Sequence, residues 1–182
     1  MTRDDLRAFR SLDIDFETVG LLQDGGESWA DFAYFCTPVG AEFVGRIGCD
    51  GVHFVLLPGD ERVYCVDTAF GEEGTYVLPV AGDFREFLSF LLYCRDANVL
   101  SQIWWMDEEK YRQLLREDGE NTWPGSDEYF ARKEAALETI AETFALTPAD
   151  PFERVKAMQR DFDPSVLEFS EEYYDVLGLE RP

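Results

Sequence analysis

His53 is the only histidine of the 182-residue chain, and Cys49 and Cys65 flank it in the stretch CDGVHFVLLPGDERVYC. Thiolates and an imidazole are ligands for a first-row metal, and a thiol beside an imidazole is also a nucleophile paired with its base. The metal requires all three side chains to converge, and the nucleophile requires His53 to meet one of the cysteines. Strand geometry tests whether they do.

Asp50-Gly51 is a two-residue hairpin signal, because a type I′ turn needs positive φ at both central positions. As the loop it pairs Cys49 with Val52 and Ile47 with Phe54. Side chains alternate along a strand, so Ile47, Cys49, Val52, Phe54 and Leu56 share one face. His53 then lies on the other face, beside Arg46 and Val44. With a second loop of four residues, Pro58 to Glu61, Val63 and Cys65 join the apolar face, and Tyr64 and Val66 join His53. A three- or five-residue loop would reverse Cys65. In the four-residue register the cysteines cannot meet His53 around a metal with bonds of roughly 2.0–2.3 Å. We therefore read the cysteines as core, with no metal and no cofactor.

Other catalytic sets are thinner. His53 could act as a general base oriented by Asp67 or Glu42, but only Tyr64 and scattered serines are offered as nucleophiles, without an elbow motif. Acidic pairs and runs (Glu72/Glu73, Asp107/Glu108/Glu109, Glu171/Glu172) arise from composition in a chain with 38 acidic residues. No phosphate-binding glycine loop and no H-E-x-x-H occurs. The sequence assigns no catalytic residue, and the expectation is a protein that is not an enzyme. Trp104-Trp105 are read as an aromatic pair at a helix end, half core and half rim, in preference to a ligand platform.

The net charge of −22, with 16 basic residues, repels phosphate backbones and anionic lipids, so neither nucleic acid nor membrane is expected as a partner. A basic protein would be steered inward by the same field. The N-terminus has no apolar core of a secretory signal, no run approaches a membrane span, and no C-x-x-C occurs. These features lead us to expect reduced thiols and a cytoplasmic protein.

Positioning falls to two kinds of element. Residues 28–79 are rich in β-branched and aromatic residues and broken by TPVG, CDG, LPGDE and FGEEG, which predicts an antiparallel meander of about four to five strands. From Asp83 the periodicity becomes helical. Asp83 and Glu86 form a capping-box pattern ahead of a stripe of Phe84, Phe87, Leu88 and Leu91. Ala97, Leu100 and Trp104 continue it. Asp107 caps a third helix carrying Tyr111, Leu114 and Leu115, and residues 117–128 form a loop. A helix over about 127–145 aligns Phe130, Leu137, Ile140 and Phe144, a strip that serves either its own core or a dimer face. Asp150, Pro151 and Glu153 start another helix. The tail SEEYYDVLGLE either packs back or stays loose. The fold class is α+β, a sheet covered on one face by helices, with a helical C-terminal extension. Residues 1–117 make the α+β domain, with its core at about 28–117, and 118–182 the extension packed on it.

The succession IGCDGVHFVLL, RVYCVD and YVLPVAGDFREFLSFLLYC resembles the SUKH superfamily, which takes in bacterial toxin-immunity proteins and a fungal regulator of glucan synthesis. Val80, Phe84, Phe87, Leu88 and Leu91 match its strand-to-helix pattern, and the resemblance spans about residues 30–117. No N-terminal helix is recognisable ahead of it. The resemblance implies a protein-binding module that blocks a toxin by covering its active site, or a regulator or scaffold, for example in envelope synthesis. The candidate contact residues are Arg46, His53 and Tyr64 on the mixed sheet face, Asp60 and Glu61 in the second turn, and Glu72 and Glu73 beyond. The expected partner is a protein, with a basic toxin as the leading case; the sequence leaves oligomeric state open.

Overall fold

The structure, a computed structural model, describes residues 2–23, 33–48, 50–120 (118–120 by backbone only) and 122–181. The expected place of Cys49, and of any strand over 28–32, lies outside the described residues. Four strands, β1 (Glu42–Arg46), β2 (His53–Leu56), β3 (Val63–Val66) and β4 (Val77–Ala81), form an antiparallel sheet in the order β1-β2-β3-β4. The α+β class and the meander are as read from the sequence. Among the described residues no helix is long and apolar enough to cross a membrane.

Helix α1 (Thr2–Arg10) stands ahead of the sheet, where the sequence suggested none. Its burial rests on few residues, Leu6 and Phe9 on one stripe, in an otherwise polar segment. Phe9 meets Phe84 edge-on at 5.5 Å between ring centroids. Arg3 donates to the Leu57 carbonyl at 2.7 Å and pairs with Glu42 at 3.1 Å, so tertiary contacts supply what local periodicity lacks.

The helices after the sheet follow their capping signals. Asp83 accepts from the Glu86 amide at 2.8 Å and starts α2 (Phe84–Cys94). The return arm of the box lands one residue early, on the Gly82 amide. Phe84, Phe87, Leu88 and Leu91 are all fully buried, and Phe87 packs on Phe54 of β2. Then come α3 (Ala97–Gln102), α4 (Glu108–Glu120) with Asp107 accepting from the Lys110 amide, and α5 (Ser126–Phe144). Leu137, Ile140 and Phe144 of α5 are buried in the same core as α2, so this part of the strip faces inward, while Phe130 lies outside that core at a surface hollow. Asp150 accepts from the Phe152 amide at the start of α6 (Phe152–Arg160).

The second sheet face is also covered. Val55, Tyr64, Val66 and Val77 are buried with Cys36 under a C-terminal strap that runs through Phe162, Leu167 and Phe169 into α7 (Glu171–Leu177). Phe169 stacks on Tyr173 at 3.9 Å, and the Val39 amide donates to the Glu168 carbonyl at 2.8 Å. The face read as mixed and suited to partner contact is a second core.

Both hairpins place β2 and β3 as their alternation demands, with one correction. The β2–β3 register, Leu56 with Val63 and Phe54 with Cys65, is that of the four-residue loop. In the first hairpin Arg46 pairs with His53, and the Ile47 amide donates to the Val52 carbonyl at 2.8 Å, so the pairing ends at Ile47 and Val52 and the connection is wider than Asp50-Gly51 alone. Positive φ falls on Gly48 (46°) and Gly51 (74°). Tertiary packing holds this wider loop: Thr68 donates to the Asp50 carbonyl at 2.6 Å, and a Cβ on Gly51 would lie 2.5 Å from the Tyr34 ring. The change shifts pairing by two residues, which preserves the faces. A bulge between Phe43 and Gly45 turns Val44 into the main core, away from its expected place beside His53.

Candidate partner-binding surface

The candidate contact residues divide between the two ends of the sheet. In a meander, the β1–β2 and β3–β4 loops share one end, and the β2–β3 turn lies at the other, about 13 Å away for strands of this length. Arg46, His53, Glu72 and Glu73 therefore belong to one end, and Asp60 and Glu61 to the opposite one. The Thr68–Asp50 hydrogen bond ties the two loops of the first end together.

Two candidates leave the surface altogether. His53 is 1% exposed and Tyr64 is fully buried, because the strap and the 34–41 segment cover the face on which they lie. The His53 ring makes a readable hydrogen-bond chain. Nδ1 lies 2.7 Å from the Gly51 carbonyl, which can only accept, so Nδ1 carries the proton. Nε2 lies 3.2 Å from the Thr37 hydroxyl, whose oxygen already accepts from the Tyr34 amide, so Thr37 donates to Nε2. Burial lowers the His53 pKa, partly opposed by the Gly51 contact, in keeping with this neutral imidazole. A general base with both nitrogens occupied under a covered face meets no substrate.

Cys65 lies on the sheet face opposite His53, and among the described residues no three His, Cys, Asp or Glu side chains are grouped to hold a metal. Cys36, Cys65 and Cys94 are free and buried. Burial raises the Cys65 thiol and pushes Cys36 and Cys94 up to about 12. Such thiols are poor nucleophiles.

The remaining candidates differ in what they do. Asp60 grips the Arg62 guanidinium with both oxygens and accepts from the Tyr64 hydroxyl at 2.7 Å. Burial raises its pKa, but the bonds to Arg62 and Tyr64 outweigh burial and hold it below the usual range. Glu61 accepts from the Thr2 amide at 3.1 Å, so it docks α1. Arg46 is half-buried, with Nη1 donating to the Gly48 carbonyl at 2.7 Å. Glu72 and Glu73 are exposed in the β3–β4 loop.

That loop also presents the feature the candidate set lacked. Phe70 is 73% exposed and Trp105 46% exposed, and with Trp104 they line a wholly apolar cleft of about 440 Å³. Asp67 builds it. One carboxylate oxygen accepts from the Ala69 and Phe70 amides at 3.1 and 2.9 Å, which folds the loop and presents Phe70. The other accepts from the Trp104 indole at 3.1 Å, which holds that ring from 37 residues away. Lys156 adds a bond to the Trp104 carbonyl at 2.9 Å. The sequence signal was a lone Phe in a Gly- and Glu-rich turn, which only the fold brings to the tryptophans. The aromatic pair is thus rim as well as core.

A larger hollow of about 530 Å³ between α2, α4 and α5 includes Arg95, Lys133 and Glu134. Its charges are neutralised within the fold: Arg95 pairs with Glu134, and buried Lys133 lies 3.6 Å from Asp96. The aromatic cleft is the better candidate, because exposed apolar rings have no such internal use. No family model, no curated protein and no solved structure matches the chain.

Proposed function

We propose that the chain is a non-enzymatic protein-binding module of immunity type. In this reading it acts in the cytoplasm, where it neutralises a basic toxin by covering the toxin's active site. The observation that carries the reading is the exposed Phe70–Trp104–Trp105 cleft on a chain of net charge −22. Aromatic anchors beside a charged rim supply binding energy, while the long-range field supplies the association rate. The likeness of residues 30–117 to the SUKH superfamily supports the same reading. The hydrolytic alternative centred on His53 draws no support from a buried imidazole with both nitrogens engaged.

The test is capture from a lysate of the source cells with immobilised wild-type protein and with the Phe70→Ala/Trp105→Ala variant in parallel. The captured protein is then expressed alone and together with the chain. The reading expects a basic protein, retained by the wild type alone, that arrests growth when expressed alone and is silenced by co-expression. A partner retained equally by both forms, or one whose expression is harmless, contradicts it. Capture of harmless envelope-synthesis proteins would move the assignment to a regulator or scaffold.

A further inference from the structure

The cleft's chemistry narrows what it can receive. Its lining is Phe70, Trp104 and Trp105, with no polar surface. The Trp104 indole N–H is already donated to Asp67. A guest that needs a hydrogen bond from the lining would be stranded on entry. Two kinds of side chain tolerate such a lining: an apolar one, and a cation that binds ring faces through their quadrupole.

The surrounding charge separates these two. The segments that carry the three rings, residues 67–75 and 104–110, hold six acidic side chains, Asp67, Glu72, Glu73, Asp107, Glu108 and Glu109, against one basic side chain, Lys110. Glu72, Glu73, Asp107 and Glu109 are exposed. Glu108 is paired with Arg112 at 3.2 Å, and Asp67 is committed to the loop and to Trp104. Lys156 and Arg160 line the neighbouring hollow on Trp104, where Lys156 offsets part of the Asp107 charge, so the acids facing the guest without a basic neighbour of this kind centre on Glu72 and Glu109. An apolar guest would gain nothing from that rim. A cation would gain from it twice, by attraction as it approaches and by the low-dielectric contact with the rings once seated.

Among cationic side chains the lining selects arginine. Guanidinium is planar, stacks on indole and phenyl faces, and is more weakly hydrated than an ammonium, so it loses less on entering a site that returns no hydrogen bond. Its donors point outward in a fork whose N–H groups a carboxylate such as that of Glu72 can accept. We propose that the Phe70–Trp104–Trp105 cleft is an arginine-reading pocket, which receives one arginine side chain of a protein partner between its rings. The inference rests on the cleft being a partner-binding surface and adds the identity of the anchor.

The test uses capped nine-residue Gly/Ser peptides that differ only at a central Arg, Lys, citrulline or Leu. They are titrated into the full-length chain while the tryptophan indole N–H resonances are followed by NMR. The expected result is a saturable shift of the Trp104 and Trp105 indoles by the Arg peptide, at an affinity about five- to tenfold above that of the equally charged Lys peptide. Citrulline, which keeps the shape and loses the charge, should be weaker still. Trp105→Ala and Phe70→Ala, both at exposed positions, should remove the response while the far-UV spectrum is unchanged. Equal binding of Arg and Lys would reduce the effect to net charge, and a Leu peptide that binds as well would make the guest apolar. Either result overturns the proposal, as does silence from all four peptides. If the peptides are silent while partner capture still depends on Phe70 and Trp105, the docking surface stands and the arginine assignment alone falls.

Discussion

Replacing Asp67 with asparagine isolates the bond that holds the cleft together. Asparagine keeps the shape and one acceptor oxygen, which continues to serve the Ala69 and Phe70 amides. Its amide then faces the Trp104 indole, so two donors oppose each other where the acceptor stood at 3.1 Å. A hydrogen bond to a charged acceptor contributes about 1.5–3 kcal/mol, and water reaching the half-buried indole returns part of it. The expected net loss at this contact is about 1–2 kcal/mol. Removing one negative charge from a chain of −22 acts in the opposite direction by relieving self-repulsion, so the single variant understates the bond. A double-mutant cycle with Trp104→Phe cancels that general effect. Measured by urea unfolding, the coupling should be about 1–2 kcal/mol, with a matching loss of near-ultraviolet tryptophan dichroism. A coupling of zero within error would refute Asp67 as the anchor of the cleft.

Three further outcomes bear on the core. His53 has a lowered pKa in the folded chain, so its contribution to stability is fully present above the unfolded value near 6.5 and is lost as pH falls below it, by up to about 1.4 kcal/mol per pH unit. The stability gap between wild type and His53→Gln, read by denaturation from pH 7.5 to 5, should narrow on the acid side; a constant gap would contradict the buried neutral imidazole. Ile140→Ala, at a fully buried site on α5, should cost about 2–5 kcal/mol; a change of a few tenths would return the strip to the role of a free face. Removing residues 163–181 uncovers Val55, Tyr64, Val66 and Val77, so dye binding should rise and Cys36 should react with a thiol reagent at pH 8, where the intact chain protects it.

Local signals carried the helices and half of the sheet. Asp83 and Asp107 cap the helices their spacing announces, and the turn Pro58–Glu61 sets the β2–β3 register that separates Cys65 from His53. What the sequence hid is non-local. α1 rests on Leu6 and Phe9 and on arginine contacts with β1 and the β2–β3 turn, which no window of its own residues reveals. In the first hairpin's connection, Asp50 and Gly51 are held by Thr68 and Tyr34. The sheet face was misread as mixed because its cover comes from a tail more than 80 residues beyond the last strand, and that cover removes His53 and Tyr64 from the candidate surface. The cleft escaped for the same reason, since Asp67 joins Phe70 to Trp104 across 34 residues of chain.

The most direct measurement of the central claim is the affinity of the captured partner, by calorimetry, for wild type and for Phe70→Ala/Trp105→Ala across a salt series. If these rings are the anchors, the variant loses about 100-fold, in line with hot-spot losses of 2 kcal/mol or more, while the salt dependence set by the acidic surface is unchanged. An unchanged affinity at every salt concentration would contradict the claim that this cleft is where the protein binds.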